Sequence, residues 1–337
     1  MLIIKFKKLA FLLIISGLLL SESIFAGSMG VSISPQKFDI TVFPGGSETI
    51  QIRLRNDSNR LLPMSGSVAP FDAEEGTGQM TFDESGPTEW ANFRERSFVM
   101  RPDQEARVDL DIEVPTDAKP GGYYLFAYFE PRISSYGGDT GPRVVPVIGV
   151  PILISTADLS LEDAEPKEPE IVEFTMDESA RSRFLERQLA RLPIAFAVDE
   201  PAFYVTRRMP DLFSVTVKNN DSYHINPKGT LTIYESGKEV AKGDFEGETI
   251  LPGRSRSFDV SVVGDMSVLE ETGTYTAEVD LNAGSSVRGE VISANKSVSF
   301  VNIPFHFWIA VFFLAGLILA LRKRIKTALT YALEFTG

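Results

Sequence analysis

The feature that most constrains this chain is a period of two. Ile50, Ile52 and Leu54 alternate with Gln51, Arg53 and Arg55, and Val108, Leu110, Ile112 and Val114 alternate with Asp109, Asp111 and Glu113. Successive side chains of a strand point to opposite faces, so such runs pack as strands with one face buried and one wet. Turn chemistry brackets them: Pro44-Gly45-Gly46 before the first, Arg101-Pro102-Asp103 before the second, Lys119-Pro120-Gly121-Gly122 after it. Tyr123 to Phe129 is aromatic on both faces and reads as a central strand. Val144 to Ser155 is a further apolar strand, and its Pro146, Gly149 and Pro151 mark an edge position or a bulge. Short strands punctuated by turns predict a β-sandwich.

A charged, proline-bearing stretch from Glu162 to Glu170 separates a second set. There Phe213, Val215 and Val217 alternate, as do Leu231 and Ile233, and Phe258, Val260 and Val262 follow Leu251-Pro252-Gly253. Tyr275, Ala277, Val279 and Leu281 follow Thr272-Gly273, and Val298, Phe300 and Ile303 end the set. The expected fold is all-β: two tandem immunoglobulin-like sandwiches over residues 29–157 and 158–303. The Pro-Gly turns of the two sets open comparable strands, a repeat that supports the fold. One segment, 177–192, lacks Gly and Pro, and its Phe184, Leu185, Leu189 and Leu192 recur at helical spacing. It predicts a short amphipathic helix inserted in the second sandwich, capped by Asp177 or Ser179. The helix either packs on its own sandwich or docks a partner or membrane surface.

The ends carry targeting signals. Lys5, Lys7 and Lys8 precede an apolar run from Leu9 to Leu20, the layout of a signal peptide over 1–28. Ala26 and Ser28 are the small residues expected at the cleavage site, before Met29. Phe305 to Leu321 is apolar except for His306, and Arg322, Lys323, Arg324 and Lys326 follow. The expectation is a transmembrane helix over 304–321, with Phe307 and Trp308 at the outer interface and Leu321 at the inner end. Arg322, Lys323 and Arg324 then begin a basic cytoplasmic tail over 322–337. Both ends predict one topology: a single-pass protein of the cell membrane, its domains extracytoplasmic, in contact with lipid through its C-terminal helix.

Composition narrows the chemistry. The chain of 337 residues has no cysteine, so thiol catalysis, iron–sulfur clusters and Cys-type zinc sites are excluded. The net charge is −13, and with both basic ends removed the exported part carries roughly −18, which disfavours nucleic acid. Only His224 and His306 offer imidazole, and neither has partners at catalytic or metal-binding spacing. The cluster Asp72-Ala73-Glu74-Glu75-Gly76 reads as a calcium loop or, more simply, as a solvated turn. Trp90, Phe93 and Tyr123 are candidate ligand-contact aromatics for sugar stacking, with core packing as the simpler account. The expected protein is not an enzyme and holds no cofactor or metal.

The segment from Val31 to Phe43, with Pro44-Gly45-Gly46-Ser47 and the strand ending Arg55-Asn56-Asp57-Ser58, resembles the opening of the peptidoglycan-binding domain in the WxL-interacting protein family. Met100-Arg101-Pro102-Asp103, the strand to Val114-Pro115, and Ala118 through Tyr124 resemble its later half. The residues around Phe213–Asn219 and Leu251–Tyr275 occupy the place of that family's second immunoglobulin-like domain. The resemblance implies a membrane-anchored, non-enzymatic surface adaptor whose first domain binds peptidoglycan and whose second binds another surface protein. Neither tryptophan is followed two positions on by Leu, and no sortase-type Leu-Pro-x-Thr-Gly signal occurs. A rival is a pilus-type assembly chaperone that pairs an exposed sheet edge with a partner's strand. A third reading is the ectodomain of an envelope hydrolase or sensor.

Overall fold

The computed structural model describes residues 30–82, 86–132, 147–157, 167–189, 204–264, 272–285 and 291–334. The signal segment with Ala26 and Ser28 lies outside them. The first sandwich has one sheet of β1 (Val31–Ser34), β3 (Ser47–Asn56), β8 (Glu105–Glu113) and β6 (Ala91–Phe93) in that order. The other runs β2 (Phe38–Thr41), β10 (Ile148–Thr156), β9 (Gly121–Pro131), β4 (Leu62–Ala73) and β5 (Met80–Phe82), with β7 (Ser97–Met100) also on β4. The sequence alternation becomes burial: Ile52, Leu54, Leu110 and Ile112 are sealed between the sheets, together with Leu125, Ala127 and Phe129 of β9. Each of the Ile, Leu and Phe side chains contributes roughly 1.5–3 kcal/mol of transfer free energy. Trp90, in a short 3-10 turn (Thr88–Trp90), closes one side of this core.

The second sandwich repeats the plan. One sheet is β11 (Glu170–Met176), β13 (Leu212–Lys218) and β16 (Ser255–Ser261). The other runs β12 (Tyr204–Thr206), β19 (Val291–Asn302), β18 (Gly273–Ser285), β14 (Ile225–Glu235), β15 (Lys238–Glu246) and β17 (Val263–Gly264). Tyr275, Ala277, Val279 and Leu281 all face its core. In both sandwiches an early short strand lies parallel to the last one: β2 beside β10, β12 beside β19.

The inserted helix is shorter than the sequence predicts. It is α1 (Arg183–Leu189), and residues 190–203 lie outside the described set. The Asp177 carboxylate accepts from the Ser179 amide at 2.9 Å, which sets a local turn instead of a helical cap. Ser182 N then donates to Val205 O at 2.6 Å and Arg207 N to Ala180 O at 2.8 Å, so the next residues pair like a strand. Glu186 sits between Arg181 and the Val205 amide, whereas Phe184 points to solvent. The expected apolar stripe therefore does not hold at Phe184.

The chain ends in α2 (Phe305–Glu334). Its side chains are described for 306–322, seventeen residues, and among the described residues no helix is long and apolar enough to cross a membrane. Phe307, Trp308, Leu321 and Arg322 all lie on α2, with Phe307 and Leu321 exposed. Lys323 and Arg324 belong to it by backbone alone.

Candidate strand-pairing edge and domain junction

Outer faces of a sandwich are ordinarily polar. The β3–β8 face obeys: Thr49 and Gln51 meet Asp111 and Asp109, and Arg94 spans both carboxylates. The large sheet of the second sandwich obeys as well, with Thr230 on Asp244, Lys228 on Glu246, and Thr276 beside Ser299. The outer face around β9 does not. Tyr124, Phe126 and Tyr128 of β9 pair in register with Leu153, Pro151 and Gly149 of β10, and Ala69 and Phe71 of β4 flank them. Phe82 on β5 is 62% exposed and meets the Phe126 ring edge-on at 5.4 Å, while Phe126 stacks on Tyr128 at 6.4 Å. A Cβ at Gly149 would stand 2.5 Å from the Phe126 ring, so only glycine lets that ring lie over the strand.

This face ends at an open edge. Strand β2 registers only with Ile152 to Ser155, so Ile148 to Val150 have no hydrogen-bonded strand on that side among the described residues, although β1 runs close by. Val42 N donates to Ser155 O at 2.9 Å, which fixes the direction of the Ser155 backbone groups toward β2. By alternation Leu153, Pro151 and Gly149 point the same way. Proline has no N–H, and by the same ladder its carbonyl faces the Phe38 amide of β2, so the unpaired stretch offers the Gly149 amide and carbonyl. A cleft of about 360 Å³ adjoins it, lined by Pro151, Leu153, Met80 and Lys37 on one side and by Asn226, Thr249 and Arg256 on the other.

The other part of the face is covered by the second sandwich. Buried His224 places Nε2 3.1 Å from Asp39 Oδ1; a carboxylate accepts, so Nε2 carries the hydrogen. Tyr124 packs edge-on against the imidazole at 5.8 Å, and Tyr223 donates its hydroxyl to Thr156 O at 2.9 Å. Burial opposes ionisation of Asp39, but the hydrogen bond and field of His224, with Lys37 nearby, outweigh it and hold the carboxyl below its usual range. Burial, aided by the carboxylates of Asp39, Asp72 and Asp221, pushes the Tyr124 phenol far up. His224 is thus a junction residue, sealed from substrate. Nothing in its own polar turn foretold that, because its partner is 185 residues away.

The acidic loop is also a junction element and not a solvated turn. Arg254 grips Asp72 with two nitrogens, one at 3.0 Å, and Ser255 Oγ donates to Glu75 at 2.6 Å. Glu74 is held by the Thr77 hydroxyl at 2.8 Å. The candidate aromatics do not form a stacking platform. Trp90 and Phe93 are buried, and Tyr123 packs on Trp90 at 4.5 Å while its hydroxyl donates to Lys119 O at 2.9 Å. The rings on the outer face are instead those at the neighbouring parity, Phe126 and Tyr128, both half-buried, with exposed Phe82. The signal for them was present in a strand aromatic on both faces.

Two asparagines that the sequence reading passed over occupy matching posts. Buried Asn56 ends β3 and donates to Arg60 O, Met100 O and Arg101 O at 2.7, 3.3 and 3.0 Å. Buried Asn219 follows β13 and donates to Tyr223 O and Ile250 O at 2.7 and 3.0 Å.

No family model and no curated protein matches this chain. Solved structures of similar strand arrangement include the class 5 fimbriae chaperone CfaA, at 11% identity and TM-score 0.38, covering 82% of this chain and all of that one. The Pseudomonas aeruginosa CupB2 chaperone gives 11% and 0.35, covering 79% and 100%. A PapD-like domain of human CEP192 gives 14% and 0.29 over 41% of this chain and 96% of its own. Likenesses this loose carry no argument about activity.

Proposed function

We propose that this chain is a non-enzymatic assembly factor that captures an extended apolar segment of an exported partner protein by strand pairing at β10. The observation that carries this reading is the unpaired edge at Ile148–Val150 beside an outer face that is aromatic where the β3–β8 face and the large sheet of the second sandwich are polar. An incoming strand would gain backbone hydrogen bonds at Gly149 and bury side chains on Phe126, Tyr128 and Phe82. Left uncovered, such an edge invites aggregation, which argues for an occupant. The test is fluorescence anisotropy of a labelled twelve-residue peptide alternating isoleucine and threonine, titrated with the full chain in nanodiscs. F126S together with F82S is expected to weaken binding at least about tenfold with unchanged circular dichroism. Equal affinity for variant and wild type would remove the face from the site.

The same proposal tethers the chain to a membrane through α2. Phe312 and Phe313 are 72% and 78% exposed, and apolar side chains surround the helix without a protein partner among the described residues. Arg322, Lys323, Arg324 and Lys326 follow, and Ile303 N donates to Thr206 O at 2.9 Å, which ties the second sandwich to the start of α2. Full-length chain is expected to float with lipid vesicles through a sucrose gradient after carbonate washing. A chain ending at Ile303 should stay at the bottom; flotation of both would place the attachment elsewhere.

A further inference from the structure

We propose that the hairpin of β4 and β5 is a strap that couples the docking of the two sandwiches to the binding face, with Arg254 as its positioning residue; this rests on the strand-capture reading above. One hairpin serves both places. Its strands carry Phe71, Met80 and Phe82 of the outer face, paired Phe71 to Phe82 and Ala73 to Met80. Its loop is bound to the second sandwich as a piece of added strand: Gly76 N donates to Ser255 O at 3.0 Å and Ser257 N to Gly76 O at 2.9 Å. The Asp72 grip on Arg254 fixes the loop at its root, directly after Phe71.

The loop is shaped for this contact. Gly76 and Gly78 have φ of +80° and +67°, where side-chain-bearing residues are strained, and a Cβ at Gly78 would stand 2.5 Å from the Arg256 guanidinium. Within the loop Gly78 N returns to Glu74 O at 2.9 Å and Glu74 N donates to Gln79 O at 2.8 Å, so displacement at one end is carried to Met80. β5 has three residues and, among the described residues, pairs with β4 alone. So short a strand holds its register only while the turn that joins it is fixed. Releasing the strap therefore loosens Met80 and Phe82, two contacts of the face, without touching the edge of β10.

The experiment compares the full chain in nanodiscs as wild type, R254Q and R254K. Amide exchange at Met80–Phe82 is read without peptide, and affinity for the isoleucine–threonine peptide is read separately. R254Q is expected to speed exchange at those amides about tenfold, leaving core amides such as Leu54 unchanged, and to weaken the peptide about three- to tenfold. R254K, which keeps the charge but loses the two-point grip, is expected to fall between. D72N repeats the loss from the other side should R254Q fold poorly. Faster exchange with unchanged peptide affinity overturns the coupling while leaving strand capture intact. A wild-type chain that binds no peptide overturns both.

Discussion

Asn219→Ala and Asn56→Ala are each expected to cost about 2–4 kcal/mol of folding stability, enough to shift the folded-to-unfolded ratio by roughly thirtyfold or more. Each amide donates to two or three backbone carbonyls, of which Ile250 O also accepts from Ile225 N and Arg101 O from Gln104 N, and each is fully buried or nearly so. Each amide oxygen also takes an amide of its own turn: Ser58 N at 3.0 Å on Asn56, and Asp221 N at 2.9 Å on Asn219. Removing the side chain strands these groups away from water, where an unmade hydrogen bond costs more than a made one contributes. Asn219 has a second burden. Its turn holds Tyr223 and His224, both of which reach across to the first sandwich. N219A should therefore lower the urea midpoint and also weaken the junction, whereas N56A should act on its own sandwich alone. Aspartate at either position keeps the oxygen but loses the donors, so N219D should be nearly as damaging; a change below about 0.5 kcal/mol in either alanine variant would show that these caps are dispensable.

What the sequence disclosed and what it hid follow one division. Period-two runs such as Ile50–Leu54 and Tyr275–Leu281 became buried strand faces because that signal is local and repeated. The Pro-Gly turns also stand where expected, with Gly45 and Gly253 in left-handed conformation. Contacts between the sandwiches were invisible, since Asp39–His224 and Asp72–Arg254 join residues 185 and 182 apart with no pattern around either. The acidic loop looked solvated because its neutralising arginine belongs to another domain. The edge state of β10 was hinted at by Gly149 and Pro151, but its open half depends on how short β2 is. The helix over 177–192 was misjudged at its start because Asp177 and Ser179 serve a turn as well as they serve a cap. Aromatic parity misled in the same way: Trp90 and Phe93 went to the core while the rings one step out of phase with Tyr123 line the outer face, half-buried.

Acid is expected to undo the junction before it undoes the sandwiches. Asp39 and Asp72 stand on the first sandwich, and each has a carboxyl held below its usual range, Asp72 mainly by the Arg254 hydrogen bonds. A carboxyl whose folded value is depressed adds stability that is fully present above its ordinary value of about 3.9 and is lost as pH falls through the lower folded value. Both partners sit on the second sandwich, so protonation removes attraction between the sandwiches and leaves their cores untouched. The expected result is that Gly76, Ser257 and Gly122, whose amides bond across the junction, lose exchange protection as pH falls below about 4, after correction for intrinsic rates. Ile52 and Val279, sealed in separate cores, should keep theirs over the same range. D39N with D72N should show the weakened junction already at pH 7 and flatten its pH dependence. Simultaneous loss at junction and core would mean that the two sandwiches unfold as one unit and that these carboxylates do not set the joint between them.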